Sequence, residues 1–404
     1  MDGPRNRRVL FLATVYSHLA HFHLPLLELL QSAGFEVHAA AAPDHLRPAV
    51  AAVADQVWDL PFSRRPLHPT NMLALARIVR LLSAQDYALV HVHTPVAAAL
   101  GRIAAAVQGT RPVVYTAHGF HFWEGAPAQN WMLYFPMEWM LARLTDGLIT
   151  INPEDHARAS TFPVRPGGRV YRTSGVGVDL GEPVSTVAAS ASLMRLRGDL
   201  GVPPGSPVVL SVGELNANKN QRQVLRSMTT VVQRHPDVRW LVAGEGGERS
   251  RLEAEARTLG LAQHVRFLGF RRDVRDLVLV SDLLVSTSRR EGLPLNVLEA
   301  MAASRPVVVS ETRGHRDLVN HGVNGLVVGL DDHDATSAAM LRLLDNPGEA
   351  AAMGRAGCRT AQAYSRAVVL EQMRGIYDQI LGEHGRESDS RERARARGAY
   401  DGRD

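Results

Sequence analysis

Asp282-Leu283-Leu284-Val285-Ser286-Thr287-Ser288 and, one residue on, Arg290-Glu291-Gly292-Leu293-Pro294-Leu295-Asn296-Val297-Leu298-Glu299-Ala300-Met301-Ala302-Ala303 decide how this chain is read. The first run has the length and apolar character of a short buried strand. In the second, strong helix formers at 297–303 and Pro294 near the first turn mark a helix start, where free N–H groups and the helix dipole attract anions. The segment is therefore strand, tight loop, helix. Glu291 falls in the loop at the carboxyl end of the strand, and Glu299 about two turns further down the helix. In an open α/β sheet such a loop usually faces a ligand. The plainer alternative is a helix with one glutamate at its start and one on its surface.

Lysine usage adds a second clue. The chain has 45 basic residues, and Lys219 is the one lysine among them. Arginine and lysine are not interchangeable where a compact ammonium on a flexible stem must meet a phosphate. Lys219 lies in Val209-Leu210-Ser211-Val212-Gly213-Glu214-Leu215-Asn216-Ala217-Asn218-Lys219-Asn220, a buried strand running into a polar loop that begins with a glycine.

Size and composition bound the remaining options. With 404 residues and 45% hydrophobic content, the chain has material for two cores. Its net charge of +4 is small for that length, and basic residues are scattered among acids, so a dedicated nucleic-acid binder is disfavoured. A single cysteine, Cys358, excludes an intramolecular disulfide and a cysteine-based zinc site, and it fits a reducing cytoplasm. The run Val9–Tyr16, after Arg5, Arg7 and Arg8, reads as a first buried strand rather than a signal segment. No run approaches the roughly 18–20 apolar residues that span a bilayer.

Along the chain, buried-strand runs alternate with helical patterns. The first series is strand Val9–Val15, helix Leu24–Ser32, strand Glu36–Ala41, helix Thr70–Ser83, strand Ala88–His91, helix Val96–Val107 and strand Val113–Thr116. Helix Gln129–Leu144, strand Gly147–Ile151 and helix Pro153–Ser160 complete it. A second series starts at Val208, with strands near 208–212, 238–243, 265–268, 282–286, 306–309 and 326–328. Repeated β–α alternation predicts parallel, doubly wound sheets. The expected divisions are an N-terminal Rossmann-like domain over 1–178, a linker region over 179–206 and a second Rossmann-like domain over 207–363. A helix over 364–382, capped by Ser365, would return to the first domain, and the charged segment 383–404 would be disordered.

Assembled, these segments resemble the GT-4 family of glycosyltransferases, of the bacterial exopolysaccharide and capsule type, over the whole chain except the tail. The resemblance is carried by Val9-Leu10-Phe11-Leu12-Ala13-Thr14-Val15-Tyr16-Ser17-His18 with Phe22-His23-Leu24-Pro25, by His91-Val92-His93-Thr94-Pro95 and by Tyr115-Thr116-Ala117-His118-Gly119-Phe120-His121-Phe122. Leu148–Asn152, Gly175-Val176-Gly177-Val178-Asp179, the Lys219 loop, the Glu291 loop with its E-x7-E spacing, and Arg313-Gly314-His315-Arg316-Asp317-Leu318 continue it in order. It implies a GT-B fold, two Rossmann-like domains facing a cleft, with the nucleotide sugar on the C-terminal domain and the acceptor side on the N-terminal one.

By that resemblance, Glu299 accepts hydrogen bonds from ribose hydroxyls and Glu291 from hydroxyls of the donor sugar. Backbone N–H groups of Gly292 and Leu293 face the diphosphate at the helix start. Lys219, beside Gly213, neutralises charge on the leaving nucleoside diphosphate. His118 lies near the reacting centre, and His18 and His93 line the acceptor side. The pattern departs in one place: the family's Gly-Arg-Leu is Gly213-Glu214-Leu215 here, so Arg313 or Arg316 is expected to replace the missing arginine. Ser304 also stands where a glycine is common. The resemblance further implies a retaining reaction without metal or cofactor, with a UDP-sugar as the default donor. A lipid-linked or growing polysaccharide would be the acceptor, and the chain would be cytoplasmic at the inner face of the plasma membrane.

Three further signals are weighed. The histidines at 18, 21, 23, 91 and 93 lack nearby cysteine or carboxylate partners at zinc spacing, so no metal site is expected. Asp331-Asp332-His333-Asp334 precedes a helix and reads as a capping loop. Trp131–Met140 is unusually aromatic; it reads as a core helix or, alternatively, as an edge resting on a membrane. Rival functions are a nucleotide-sugar epimerase of the same fold, a dinucleotide-dependent oxidoreductase and a non-catalytic hinged binding protein. The oxidoreductase would want G-x-G-x-x-G after the first strand, yet no glycine occurs between Gly3 and Gly34.

Overall fold

The computed structural model describes residues 7–181 and 187–400, with side chains placed for 7–181 and 191–384. It divides into two units, Met1–Val176 with Val369–Asp404, and Gly177–Val368.

The first unit holds seven parallel strands: β1 (Arg8–Val15), β2 (Glu36–Ala42), β3 (Gln56–Asp59), β4 (Leu89–His93), β5 (Val113–Ala117), β6 (Gly147–Thr150) and β7 (Arg169–Arg172), in the order β3-β2-β1-β4-β5-β6-β7. Strand β1 shows why. Its Val9–Ala13 are fully buried on both faces, which is what a continuous apolar run does in a parallel sheet covered twice. Alternation sends Val9, Phe11 and Ala13 to one core, with Leu27 and Val37, and Leu10 and Leu12 to the other, with Ile78 and Val92. The helix Arg366–Tyr400 closes the first of these cores with Val369, Met373, Ile376, Tyr377 and Ile380, one helical stripe.

The second unit has six parallel strands: β8 (Val208–Val212), β9 (Arg239–Ala243), β10 (Val265–Gly269), β11 (Leu283–Ser286), β12 (Val307–Ser310) and β13 (Leu326–Val328), in the order β10-β9-β8-β11-β12-β13. The same alternation splits Val209 and Val285 from Val208, Leu210 and Leu284. In each sheet the chain winds outward in one direction, returns to the middle and winds the other way. The reversal lies between β1 and β4 in the first sheet and between β8 and β11 in the second. Carboxyl ends at such reversals leave a crevice that no crossover helix covers.

Three expectations change. Edge strands β3 and β7 are invisible to the apolar pattern because Gln56, Trp58, Asp59, Arg169 and Arg172 are exposed. The 179–206 segment is more than a linker: it carries a helix, Val187–Asp199. The Arg197 guanidinium donates to the Val280 carbonyl at 2.7 Å and also binds the Ser206 carbonyl, while Leu200 and Val202 enter the second core. The segment from 383, expected to be disordered, continues the helix as far as Tyr400, and the rest of it lies outside the described residues. The aromatic helix, Ala128–Ala142, packs on the core through one face and leaves apolar side chains exposed on another. Trp131, Tyr134 and Phe135 pack on the core, while Met132, Leu133 and Met140 are exposed.

Candidate active site

At the reversal of the second sheet, the loops after β8 and β11 meet. Asn218 and Arg289–Arg290 stitch them together: the Arg289 N–H donates to the Asn218 carbonyl at 2.7 Å, and the Asn218 amide donates to the Arg290 carbonyl at 3.1 Å. The Thr287 hydroxyl adds a bond to the Asn220 carbonyl at 2.9 Å. Asn220 itself adopts the left-handed conformation that swings the chain into the helix Gln221–Arg234. The result is a 2.6 Å ion pair between Lys219 Nζ and Glu291 Oε1, with both side chains mostly buried.

A third loop supports the first. Gly244 and Gly246 follow β9, and Gly213 N–H donates to Ala243 while Leu215 N–H donates to Glu245. Gly244 has φ +144°, and a Cβ there would stand 1.9 Å from the Gly213 carbonyl oxygen. This G-x-G, nearly uninformative as a sequence pattern, is the bed on which the Lys219 loop lies.

Burial alone would raise the Glu291 carboxyl, but the charge of Lys219, the neighbouring His315 and the Lys219 hydrogen bond hold it below its ordinary value. Glu291 is therefore an ionised acceptor. Glu299 differs. It lies on the helix Leu295–Ala302, which begins after Pro294, and its side chain makes no hydrogen bond or ion pair among the described residues. Burial raises its carboxyl to about 7. It is a half-desolvated acceptor without a partner, the form that gains most from two hydroxyl donors.

Of the two candidate replacement arginines, Arg313 is buried and its Nε donates to the Glu291 carbonyl at 3.3 Å, whereas Arg316 is exposed and 4.0 Å from Glu311. Glu214 points out to solvent. Ser304 has φ +57°, which explains why a glycine would suit its place. Asp332 caps the helix His333–Asp345 by accepting from Ala335 N–H at 2.8 Å, as foreseen.

Sequence reasoning missed His315. It is fully buried, with Nδ1 3.0 Å from the Ser310 carbonyl and Nε2 3.2 Å from Ser286 Oγ, and burial lowers it to about 4 despite the pull of Glu291. A neutral ring thus ties β11 and β12 beside Glu291. Its position between Arg313 and Arg316 is the one signal of it in the sequence.

In the first unit, a cavity of about 420 Å³ opens at the β1–β4 reversal, lined by His18, Phe22, Arg64, Thr94, His121 and Tyr134 among others. Thr94, which follows β4, has φ +63°, a strained conformation for a β-branched residue, and its hydroxyl accepts from Thr14 N–H at 2.9 Å. His93 and His118 stand close to His18, with ring centroids 6.2 and 4.7 Å away. The structure brings His18, His93 and His118 together in one unit, and Gly213, Lys219, Glu291 and Arg313 in the other, with Glu299 on the helix that follows the Glu291 loop and Arg316 exposed.

Comparison with known proteins follows this division. A family model for glycosyl transferase 4-like proteins matches residues 8–152, and one for glycosyl transferases group 1 matches 195–360. The putative glycosyltransferase EpsD of Bacillus subtilis is 37% identical over 380 residues, covering 93% of this chain and 97% of that protein. The UDP-Gal:alpha-D-GlcNAc-diphosphoundecaprenol alpha-1,3-galactosyltransferase of Escherichia coli is 28% identical, covering 68% of this chain and 71% of that enzyme. Among solved structures, Anabaena HepE in complex with UDP and glucose superposes with a TM-score of 0.76 at 22% identity, over 93% of this chain and all of that one, a likeness of fold.

Proposed function

The chain belongs to the group 1, GT-4-like glycosyltransferases, enzymes of the GT-B fold that use nucleotide sugars, and from that premise we propose that it is a retaining transferase carrying a sugar from a UDP-sugar to a lipid-linked or growing exopolysaccharide acceptor. The observation that carries this reading is the meeting of Lys219 and Glu291 at the reversal of the second sheet, with the unpartnered Glu299 on the helix that starts there.

In this account the ribose hydroxyls donate to Glu299, and the donor-sugar hydroxyls donate to Glu291. N–H groups at Gly292–Leu293 face the diphosphate, with Arg313 steadying the Glu291 backbone. Lys219 meets the charge that grows on the phosphate as the bond from the anomeric carbon to oxygen breaks, its electron pair leaving with UDP. The acceptor oxygen bonds the anomeric carbon on the same face and passes its proton to the leaving phosphate oxygen. No metal is assigned to the diphosphate. His18 and His93 belong to the acceptor side, and His118 lies beside the reacting centre.

UDP is favoured by the E. coli relative, and a lipid-linked acceptor by the diphosphoundecaprenol substrate of the same enzyme. Exposed Met132, Leu133 and Met140 give the first unit an apolar face suited to a membrane surface, although no helix among the described residues is long and apolar enough to cross one.

The test is transfer from a panel of UDP- and GDP-sugars to an undecaprenyl-diphosphate-linked saccharide, with the anomeric configuration of the product read by NMR. Retained configuration from a UDP-sugar is expected. An inverted product, strict GDP dependence, or release of UDP with an epimerised sugar and no need for acceptor would overturn the proposal.

A further inference from the structure

Four histidine rings converge in the first unit, each from a different element. His18 lies on the helix Tyr16–Phe22, His23 at the junction with the next helix, His93 at the last position of β4 and His118 just after β5. One ring nitrogen of each can be chosen so that all four lie within 4.8 Å of one another. His23 and His93 are essentially fully buried, with ring centroids 3.8 Å apart.

A neutral imidazole carries one donor and one acceptor, and buried polar atoms are normally satisfied. These are not. His23 Nδ1, both nitrogens of His93 and His118 Nε2 are buried without a hydrogen-bond partner. The neighbouring His91 provides the contrast. Its Nδ1 is 2.8 Å from Tyr377 Oη and its Nε2 2.8 Å from Thr116 Oγ1, so its ring is fully engaged and belongs to the core. Three of the four converging rings, those of His23, His93 and His118, thus carry an unpartnered buried nitrogen.

We propose that His18, His23, His93 and His118 bind one divalent late first-row transition metal ion, with Zn²⁺ as the assigned occupant. Nitrogen ligands at about 2.0–2.1 Å from a tetrahedral zinc stand about 3.3 Å from each other. His18 Nε2 and His23 Nε2 are already 3.4 Å apart, and the widest pair needs to close by about 1.5 Å to reach that tetrahedral spacing. Imidazole suits zinc, whereas magnesium and calcium want oxygen, and a four-nitrogen tetrahedron does not favour copper(II). Burial keeps these rings neutral, which is the ligating form.

Linear spacing hid the site because three short segments, some seventy residues apart at the longest gap, meet only when β1, β4 and β5 lie side by side. The ion would pin the carboxyl ends of these strands at the wall of the cavity that His18 lines. Neutral ligands leave its double charge uncompensated, so an anionic oxygen entering that cavity would be attracted. The inference goes beyond the proposed transfer reaction and leaves the donor diphosphate to Lys219.

The test uses the full chain without a polyhistidine tag, stripped with chelator and reloaded with Zn²⁺ or Co²⁺. Elemental analysis should give one metal per chain, and the cobalt form should show the intense visible bands of tetrahedral coordination. His93→Gln should lose the metal, while His21→Gln, a change at an exposed neighbouring histidine, should keep it. The wild-type spectrum does not depend on how either variant folds. No stoichiometric metal in the wild type, a weak octahedral cobalt spectrum, or unchanged binding in a folded His93→Gln would overturn the proposal.

Discussion

Replacing Glu299 by Gln should make the free protein more stable and weaken its hold on a nucleotide sugar. Burial raises the Glu299 carboxyl from its ordinary 4.5 to about 7 in the fold. A carboxyl raised in the folded state is one whose ionised form opposes folding. The penalty is absent below the unfolded value, grows as pH rises from 4.5 to about 7, and is complete above that. At about 1.4 kcal/mol per pKa unit this gap corresponds to about 3 kcal/mol, which solvent at the partly exposed side chain reduces to roughly 2 kcal/mol. Glutamine keeps the shape and removes the charge. Urea unfolding should therefore show Glu299→Gln more stable than wild type by roughly 2 kcal/mol near about pH 8, and equal to it near about pH 4.5. The ribose hydroxyls, in turn, lose charge-assisted bonds that are each about twice as strong as neutral ones, so UDP should bind about tenfold or more weakly. UDP affinity of the wild type should rise with pH through about 7 and that of the variant should not. A variant less stable than wild type at alkaline pH, or the same UDP pH profile in both proteins, would refute the reasoning.

Other expectations are more local. Gly244→Ala sets a methyl group 1.9 Å from the Gly213 carbonyl oxygen at a positive φ; it should destabilise the second unit by about 3 kcal/mol or more in denaturant unfolding. Lys219→Ala leaves Glu291 mostly buried without its cation; turnover should fall by about 10²–10³, with a loss of roughly 2 kcal/mol in stability. Ser304→Gly should raise stability by about 1 kcal/mol, because a left-handed conformation strains every residue except glycine.

Much of this was legible in the sequence, for identifiable reasons. Central strands such as β1 and β8 announce themselves because burial on both faces demands unbroken apolar runs. Edge strands β3 and β7 do not, since one side of each meets water and polar residues serve as well. The Lys219 and Glu291 loops were legible as separate motifs, and their pairing follows from the strand order, which places β8 beside β11. The helix Val187–Asp199 is hard to read from sequence because its first half is Ala- and Ser-rich and only Leu193 and Leu196 reach the second core. His315, and the convergence of His18, His23 and His93 with His118, depend on partners from other elements, so linear spacing, which argued against a metal site, does not record them. The difference between the buried Arg313 and the exposed Arg316 is likewise one of burial, which two arginines in one motif do not reveal.

The most direct test of the central claim is calorimetric titration of the wild-type chain with UDP, GDP and NAD, repeated on Glu299→Ala. UDP should bind, and the substitution should weaken or abolish that binding. Binding of NAD in preference to UDP, or UDP binding indifferent to the loss of Glu299, would contradict it.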